Sequence, residues 1–215
     1  MMPTLASARA YYTGADPIHD FDHIRRVLAL AERIGQAEGA DLEIVRAAVL
    51  LHDAAGATPN GSGERTAHHL ASAEFAREVL AAEGWPDDRL EAVLHCIRAH
   101  RFRGADASSG PRTLEAKVLF DSDKLDVLGA IGALRAAGYA TLAGQPLTGT
   151  PSARFRATGQ PEPGEPHTPY HEFLFKLTHV PERLHTATAR AIAAERHQYR
   201  AEFFERLARE SAGDA

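Results

Sequence analysis

The chain of 215 residues contains a single cysteine, so no disulfide can form within it. Cys96 stands in an apolar helical stretch, where a lone cysteine is usually a packing residue rather than a nucleophile. The same count disfavours a structural zinc site, because such sites usually recruit several thiolates. A reducing compartment fits this composition, and we expect a cytoplasmic protein.

Long apolar runs and a positive net charge are also lacking. No uncharged apolar run is long enough to span a bilayer, and the N-terminus has no basic start followed by an apolar core. We therefore expect no membrane partner. The formal net charge of -5 provides no broad field for a nucleic-acid polymer, so any phosphate that the protein handles must meet a local cation.

The alternation of apolar and polar residues that is typical of strands is absent. Apolar residues instead recur three or four positions apart, and this spacing predicts helices at about 20–38, 41–55, 67–83, 87–100, 112–138 and 181–209. We predict an all-α fold with a single domain over residues 1–215. Its core would occupy about 17–140 and its C-terminal helices about 170–210.

Residues 141–169 interrupt this helical pattern and are rich in Gly, Pro and Thr. The stretch is far longer than the usual connection within a compact domain. We predict a long Gly/Pro-rich loop before the C-terminal helices. A lid over a binding site and a disordered surface insertion both fit the composition.

Twelve histidines are more than a chain of this length usually carries. The adjacent pair His52-Asp53 follows the apolar run Ala47–Leu51, so a buried helix would deliver two strong ligands at its end. Burying an imidazole and an ionised carboxylate is costly unless each group is hydrogen-bonded or coordinated. A divalent cation would satisfy both groups, and so would a His-Asp hydrogen bond that caps the helix.

Two further ligand-type residues stand in apolar helical surroundings. They are His23, near the start of the first long helix, and Asp123, inside an apolar helix. Two histidines with two carboxylates form a mixed nitrogen and oxygen set that suits Mn²⁺, Fe²⁺, Co²⁺ or Mg²⁺. We expect one divalent metal ion, with Mn²⁺ favoured and Zn²⁺ or Ni²⁺ as further possibilities.

The order His23, then His52-Asp53, then Asp123 resembles the H…HD…D signature of the HD-domain superfamily of metal-dependent phosphohydrolases. The surrounding sequence is similar to a bacterial single-domain branch of that superfamily, in the ordered blocks HDFDHIRRV, AAVLLHDAAG, HHLASAEFAREVL, IRAHRF and FDSDKLDVLGAIG. FLFKL and ARAIAAERHQYRAEFFERL resemble the closing helices of the branch. A bare HD dipeptide carries no weight, whereas five ordered blocks make a chance match improbable.

The resemblance implies an HD-type helical bundle with the metal ligands His23, His52, Asp53 and Asp123. Asp123 is preferred to its neighbour Asp121 because S-D-K-L-D aligns with the A-D-R-L pattern of the family. His52 and Asp53 would also be the catalytic residues. Asp53 would share its ligand role with acceptance of a proton from water that the metal activates.

Further residues beside these ligands are candidates for substrate binding. His68 and His100 would contact phosphate, although histidines at such positions bind a second metal in multinuclear relatives. Arg101 and Lys124 suit phosphoryl oxygens. Asp126, one helical turn after Asp123, would orient a ligand or contact the substrate. Weaker candidates are His19, Arg98 and Arg103.

The resemblance implies hydrolysis of a phosphoester or phosphoanhydride, with a nucleotide as the expected small-molecule partner. An HD phosphodiesterase for a signalling nucleotide is one alternative. A metal-stabilised helical binding module without turnover is another. Fold likeness alone does not decide the substrate, and the sequence leaves the oligomeric state open.

Overall fold

The computed structural model describes residues 3–12, 21–55, 68–101 and 110–214, and within these ranges all regular structure is helical. This confirms the all-α class. The helices are α1 (Leu5–Arg9), α2 (Phe21–Glu38), α3 (Leu42–Leu51), α4 (His68–Ala82), α5 (Asp87–Ala99), α6 (Leu114–Leu125), α7 (Gly129–Leu142), α8 (Ala153–Thr158), α9 (Pro169–Phe175) and α10 (Ala187–Ala212). Short 3-10 turns occupy Leu177–His179 and Pro181–Arg183.

The chain forms two compact units, and the first comprises Met1–Leu125 with His185–Ala189. Helix α3 lies at its centre and packs against α2, α5 and α6, while α4 packs on α5. Asp41 starts α3 by accepting hydrogen bonds from the amides of Glu43 and Ile44. Because every residue of the run 47–51 is buried, the end of α3 delivers its next residues into the interior of this unit.

The second unit comprises Asp126–Leu184 and Arg190–Ala215, and in it α7 packs against α9. Its interior is aromatic, with Phe204 stacked on both Tyr170 and Phe173. The buried side chain of Arg200 lies over the rings of Phe173 and Phe204 and donates a hydrogen bond to the carbonyl of Val127. Whether the chain is a single domain stays a prediction.

The helix expected over 112–138 consists of two helices, so that prediction is wrong. The chain leaves α6 after Leu125, and Leu128 is extended. Gly129 then has a φ of +67°, a left-handed conformation that glycine adopts without steric cost. Residues on both sides of this break are buried, so the apolar spacing continues through it. The break therefore cannot be recognised from the apolar spacing alone.

The C-terminal helix begins at Ala187 rather than at about residue 181. Pro181–Arg183 form a 3-10 turn, and the chain is extended at Leu184. The predicted loop 141–169 also differs, because α7 continues to Leu142 and α8 lies within the stretch. Around α8, the carboxylate of Glu165 accepts hydrogen bonds from Ser152 and from the Glu162 amide.

Among the described residues, no single helix is long and apolar enough to cross a membrane. The pair Leu114–Leu125 and Gly129–Leu142, taken together, is long and apolar enough to cross a membrane. Buried core helices of soluble proteins meet the same test of length and composition.

Candidate metal centre

Helices α3 and α5 end in the same way, with a histidine as the C-terminal capping residue. The Nδ1 atom of His52 lies 2.8 Å from the carbonyl oxygen of Val49, and that of His100 lies 2.6 Å from the carbonyl oxygen of Ile97. A carbonyl can only accept, so the Nδ1 atom of each ring carries the proton and donates it. In the neutral imidazole, Nε2 therefore presents a lone pair.

The two Nε2 atoms face the same carboxylate. His52 Nε2 lies 3.8 Å from Asp53 Oδ2, and His100 Nε2 lies 3.6 Å from Asp53 Oδ1. His52 Nε2 is buried and makes no hydrogen bond within the part of the chain that the structure describes. Imidazole lone pairs directed at a carboxylate repel it unless a proton or a metal cation lies between them, so this arrangement fits a cation.

His23 and Asp123 complete one side of this cluster. His23 is buried on α2, and its Nε2 atom lies 3.5 Å from Asp123 Oδ1. One ligand atom from each of His23, His52 and Asp53 lies within 4.8 Å of the others, a spacing suited to a shared metal ion. The structure thus brings His23, His52 and Asp53 together as one possible ligand group and places the fourth predicted ligand, Asp123, beside His23.

Asp53 also belongs to a second possible ligand group, formed with His68 and His100, whose ligand atoms lie within 4.8 Å of one another. His68 Nε2 lies 3.2 Å from Asp53 Oδ1, and Arg101 Nη1 lies 2.9 Å from His68 Nδ1. A guanidinium group can only donate, so His68 Nδ1 accepts and His68 Nε2 carries a proton directed at Asp53. Three of the predicted substrate residues therefore lie at the metal-ligand cluster.

Lys124 is directed into the cluster rather than away from it. Its Nζ atom lies 2.5 Å from Asp123 Oδ2 and donates to the carbonyl oxygen of His100 at 3.3 Å. The same ammonium group lies 5.1 Å from the centre of the Phe120 ring. Lys124 thus holds one oxygen of Asp123, while the other oxygen faces His23.

Asp121 is fully buried and bonds to the residues that precede α10. Its carboxylate accepts hydrogen bonds from the amides of His185 and Thr186 and from the Thr186 hydroxyl, at 2.7 to 2.9 Å. These bonds account for both oxygens. The geometry therefore favours Asp123 over Asp121 as a metal ligand.

Comparison with known proteins agrees with this geometry. The sequence model of the HD domain matches residues 20–128, more than half of the chain. The chain belongs to the HD domain family. YpgQ of Bacillus subtilis strain 168 is 30% identical over 197 residues, which cover 91% of this chain and 85% of YpgQ.

Solved structures of other proteins are also similar to this HD protein. The crystal structure of Bacillus subtilis YpgQ in complex with ADP aligns with a TM-score of 0.69 and 28% identity, covering 94% of this chain and 90% of that one. A predicted HD superfamily hydrolase from an uncultured Thermotogales bacterium aligns with a TM-score of 0.64 and 27% identity, covering 94% and 87%. The HD protein is thus a hydrolase of the metal-dependent phosphohydrolase type, and its His/Asp cluster fits the divalent metal that this family binds.

The charge state of the cluster suits a cation. Burial lowers the pKa of His52 to about 4, so this imidazole is neutral at pH 7. Burial alone would raise the pKa of Asp53, but the neighbouring histidines, His52 foremost, hold it well below its usual value. Burial likewise opposes ionisation of Asp123, and Lys124 and His23 outweigh it. Metal binding needs a neutral imidazole and ionised carboxylates, and the lowered pKa values of His52, Asp53 and Asp123 meet this need.

The depressed pKa of His52 makes the metal-free protein less stable in mild acid. Between pH 6.5 and about pH 4 the unfolded chain binds a proton at His52 that the folded protein does not, so stability falls as the pH falls. We expect a loss of about 2 kcal/mol between pH 7 and pH 5, measured by urea unfolding in chelator. His52→Asn, which cannot titrate but keeps a donor for Val49, should remove this part of the pH dependence; an unchanged slope would contradict the assignment.

Some predicted residues do not join the cluster or lie outside the described residues. Asp126 is buried in the second unit, where Arg135 Nη1 lies 2.6 Å from its carboxylate, and its role as a substrate contact stays a prediction. Arg98 pairs with Glu91 on its own helix. His19 and Arg103 lie outside the described residues.

Proposed function

We propose that this HD protein hydrolyses a phosphoanhydride or phosphoester of a nucleotide, at one divalent cation held by His23, His52, Asp53 and Asp123. The observation that carries the proposal is the buried Nε2 atom of His52, which has no hydrogen bond in the described structure and faces a carboxylate. The donor set combines imidazole nitrogens with carboxylate oxygens, which suits Mn²⁺ and related ions. Mn²⁺ is the favoured metal.

The cationic and histidine side chains beside the metal ligands support a phosphorylated substrate. Arg101 contacts His68, and Lys124 contacts Asp123, so both cations lie next to proposed ligands or their partners. A guanidinium group offers a bidentate fork to phosphoryl oxygens, and an ammonium group offers a point charge. The crystal structure of YpgQ in complex with ADP supports a nucleotide as the substrate class.

At both Asp53 and Asp123, neighbouring side chains contact one carboxylate oxygen and leave the other oxygen facing a proposed histidine ligand. When bound, the divalent cation supplies Lewis-acid charge and lowers the pKa of water. His68 and His100 face Oδ1 of Asp53 and leave Oδ2 on the side of His52. Lys124 likewise holds Oδ2 of Asp123 and leaves Oδ1 toward His23.

The low pKa of Asp53 bears on its predicted double role. A carboxylate that stays ionised far below neutral pH is a good ligand but a weak proton acceptor, since general bases work best with a pKa near the operating pH. Asp53 is therefore proposed chiefly as a ligand. His52, neutral at pH 7, is proposed as its partner on the same ion.

The test measures release of phosphate and pyrophosphate by chelator-treated protein from a panel of nucleoside mono-, di- and triphosphates. Conversion of cyclic dinucleotides to linear products, which releases neither ion, is followed separately by chromatography. Mn²⁺, Co²⁺, Fe²⁺, Mg²⁺, Ni²⁺ and Zn²⁺ are added back one at a time. We expect metal-dependent release that is lost in His52→Ala and kept in His179→Ala, which removes an exposed histidine. Cleavage of cyclic dinucleotides alone would identify a signalling phosphodiesterase instead.

Two further results would contradict parts of the proposal. Protein that gains thermal stability with added metal but releases no product from any nucleotide would be a binding module rather than an enzyme. A metal content of two ions per chain would contradict the single-metal proposal and would place the second ion at the group of Asp53, His68 and His100.

A further inference from the structure

The N-terminal segment 3–12 precedes the part of the chain that matches the HD domain, yet it contacts three helices of the metal centre. Tyr12 contacts α3 and α2. The Tyr11 ring meets the Phe75 ring of α4 edge-on, with 4.9 Å between centroids. Since α2, α3 and α4 carry or precede proposed site residues, this segment is placed to influence the geometry of the site.

Tyr12 satisfies a carbonyl group at the end of α3. Its hydroxyl donates to the carbonyl oxygen of Leu50 at 3.0 Å, and its side chain is only 7% exposed. In a continuing helix the amide of Ala54 would donate to Leu50, but here it donates to Leu51 at 3.3 Å. The tightened turn that presents His52 and Asp53 thus removes the helical donor of Leu50, and the Tyr12 hydroxyl replaces it.

The ring of Tyr12 contacts the start of another ligand-bearing helix. It packs on the ring of Phe21, with centroids 5.6 Å apart, and Phe21 is the first residue of α2. His23 follows two positions later. One side chain therefore touches both the turn that carries His52 and Asp53 and the helical turn that carries His23.

We propose that Tyr12 is a positioning residue for the metal centre, and this inference rests on the metal site of the proposed function. The hydroxyl of Tyr12 fixes the end of α3, and its ring fixes the beginning of α2. Together these contacts set the separation between His23 and the His52-Asp53 pair. Metal sites need their ligands held within about 0.5 Å, so a residue that supports two ligand-bearing elements affects metal affinity without contacting the ion.

The test compares Mn²⁺ binding with stability in Tyr12→Phe and Tyr12→Leu. Calorimetric titration of chelator-treated protein gives the Mn²⁺ dissociation constant, and the Mn²⁺ electron paramagnetic resonance spectrum reports the coordination of the bound ion. We expect affinity to weaken about tenfold in Tyr12→Phe and further, toward a hundredfold, in Tyr12→Leu, with a broadened spectrum in both. Tyr199→Phe, at a half-exposed tyrosine of α10, is the matched control and should bind as the wild type does.

The outcomes separate this inference from the proposed function. If both Tyr12 variants melt at a lower temperature without metal but bind Mn²⁺ as tightly as the wild type, Tyr12 has only a structural role and the inference is wrong. Wild-type protein that binds Mn²⁺ without turnover contradicts the proposed function, while the ratio of affinities still decides the role of Tyr12. Wild-type protein that binds neither Mn²⁺ nor any other divalent ion of the panel contradicts both.

Discussion

Asp53→Asn is expected to reduce hydrolysis by about a thousandfold or more and to release the metal. Asp53 is shared by the two possible ligand groups found among the described residues, and its carboxylate faces His52, His68 and His100. Asparagine keeps the shape of the side chain but removes the charge that holds a cation. Loss of the metal removes several kcal/mol of transition-state stabilisation, which corresponds to this change in rate.

Two measurements check this result together: metal content by elemental analysis, and kcat/KM with the best substrate of the panel. Asp22→Asn is the matched control, because Asp22 is an exposed carboxylate on α2 whose ion pair with Arg25 lies at the surface. It should keep both metal and rate. An Asp53→Asn protein with full metal content and the wild-type rate would show that the site has been assigned to the wrong residues.

The central part of the site could be predicted because its signals are local in sequence. The apolar run 47–51 predicts a buried helix, and a His-Asp pair directly after it must lie at the end of that helix. His23 and Asp123 stand in similar polar-in-apolar contexts. The structure places all four near one another, although the metal itself stays a proposal.

Features that depend on contacts between distant residues could not be predicted. Nothing near Tyr12 indicates that its hydroxyl meets Leu50, 38 positions away. The direction of Lys124 depends on the end of α5, because the ammonium group reaches the carbonyl oxygen of His100. Helical periodicity specifies which face of a helix is buried, whereas the partner on that face is set by the fold.

The break between α6 and α7 shows a second limit of the sequence pattern. Leu125 and Leu128 are both buried, so the apolar spacing continues across residues that are not helical. Gly129 carries the required positive φ, but a glycine inside an apolar pattern is compatible with either a continuous or a broken helix. The pattern therefore predicted the burial of this region correctly and its connectivity incorrectly.

Asp121→Asn is expected to lower the stability of the protein, whereas Asp123→Asn is expected to weaken metal binding, although the two residues lie on the same short helix. Asp121 accepts three hydrogen bonds from His185 and Thr186 in a fully buried position. An asparagine there has one acceptor oxygen and turns an NH₂ group toward a donor, so we expect a loss of about 3 kcal/mol in the free energy of unfolding. The folded fraction should keep its Mn²⁺ affinity.

Asp123→Asn should instead weaken Mn²⁺ binding at least about a hundredfold, because it removes a charged ligand facing His23. Its effect on the stability of the metal-free protein should be smaller, since the carboxylate is only partly buried and its partner Lys124 can reach solvent. Urea unfolding in chelator and calorimetric Mn²⁺ titration of both variants provide the comparison. If Asp121→Asn loses the metal while Asp123→Asn keeps it, the fourth ligand is Asp121, and the carboxylate beside Lys124 serves the substrate instead.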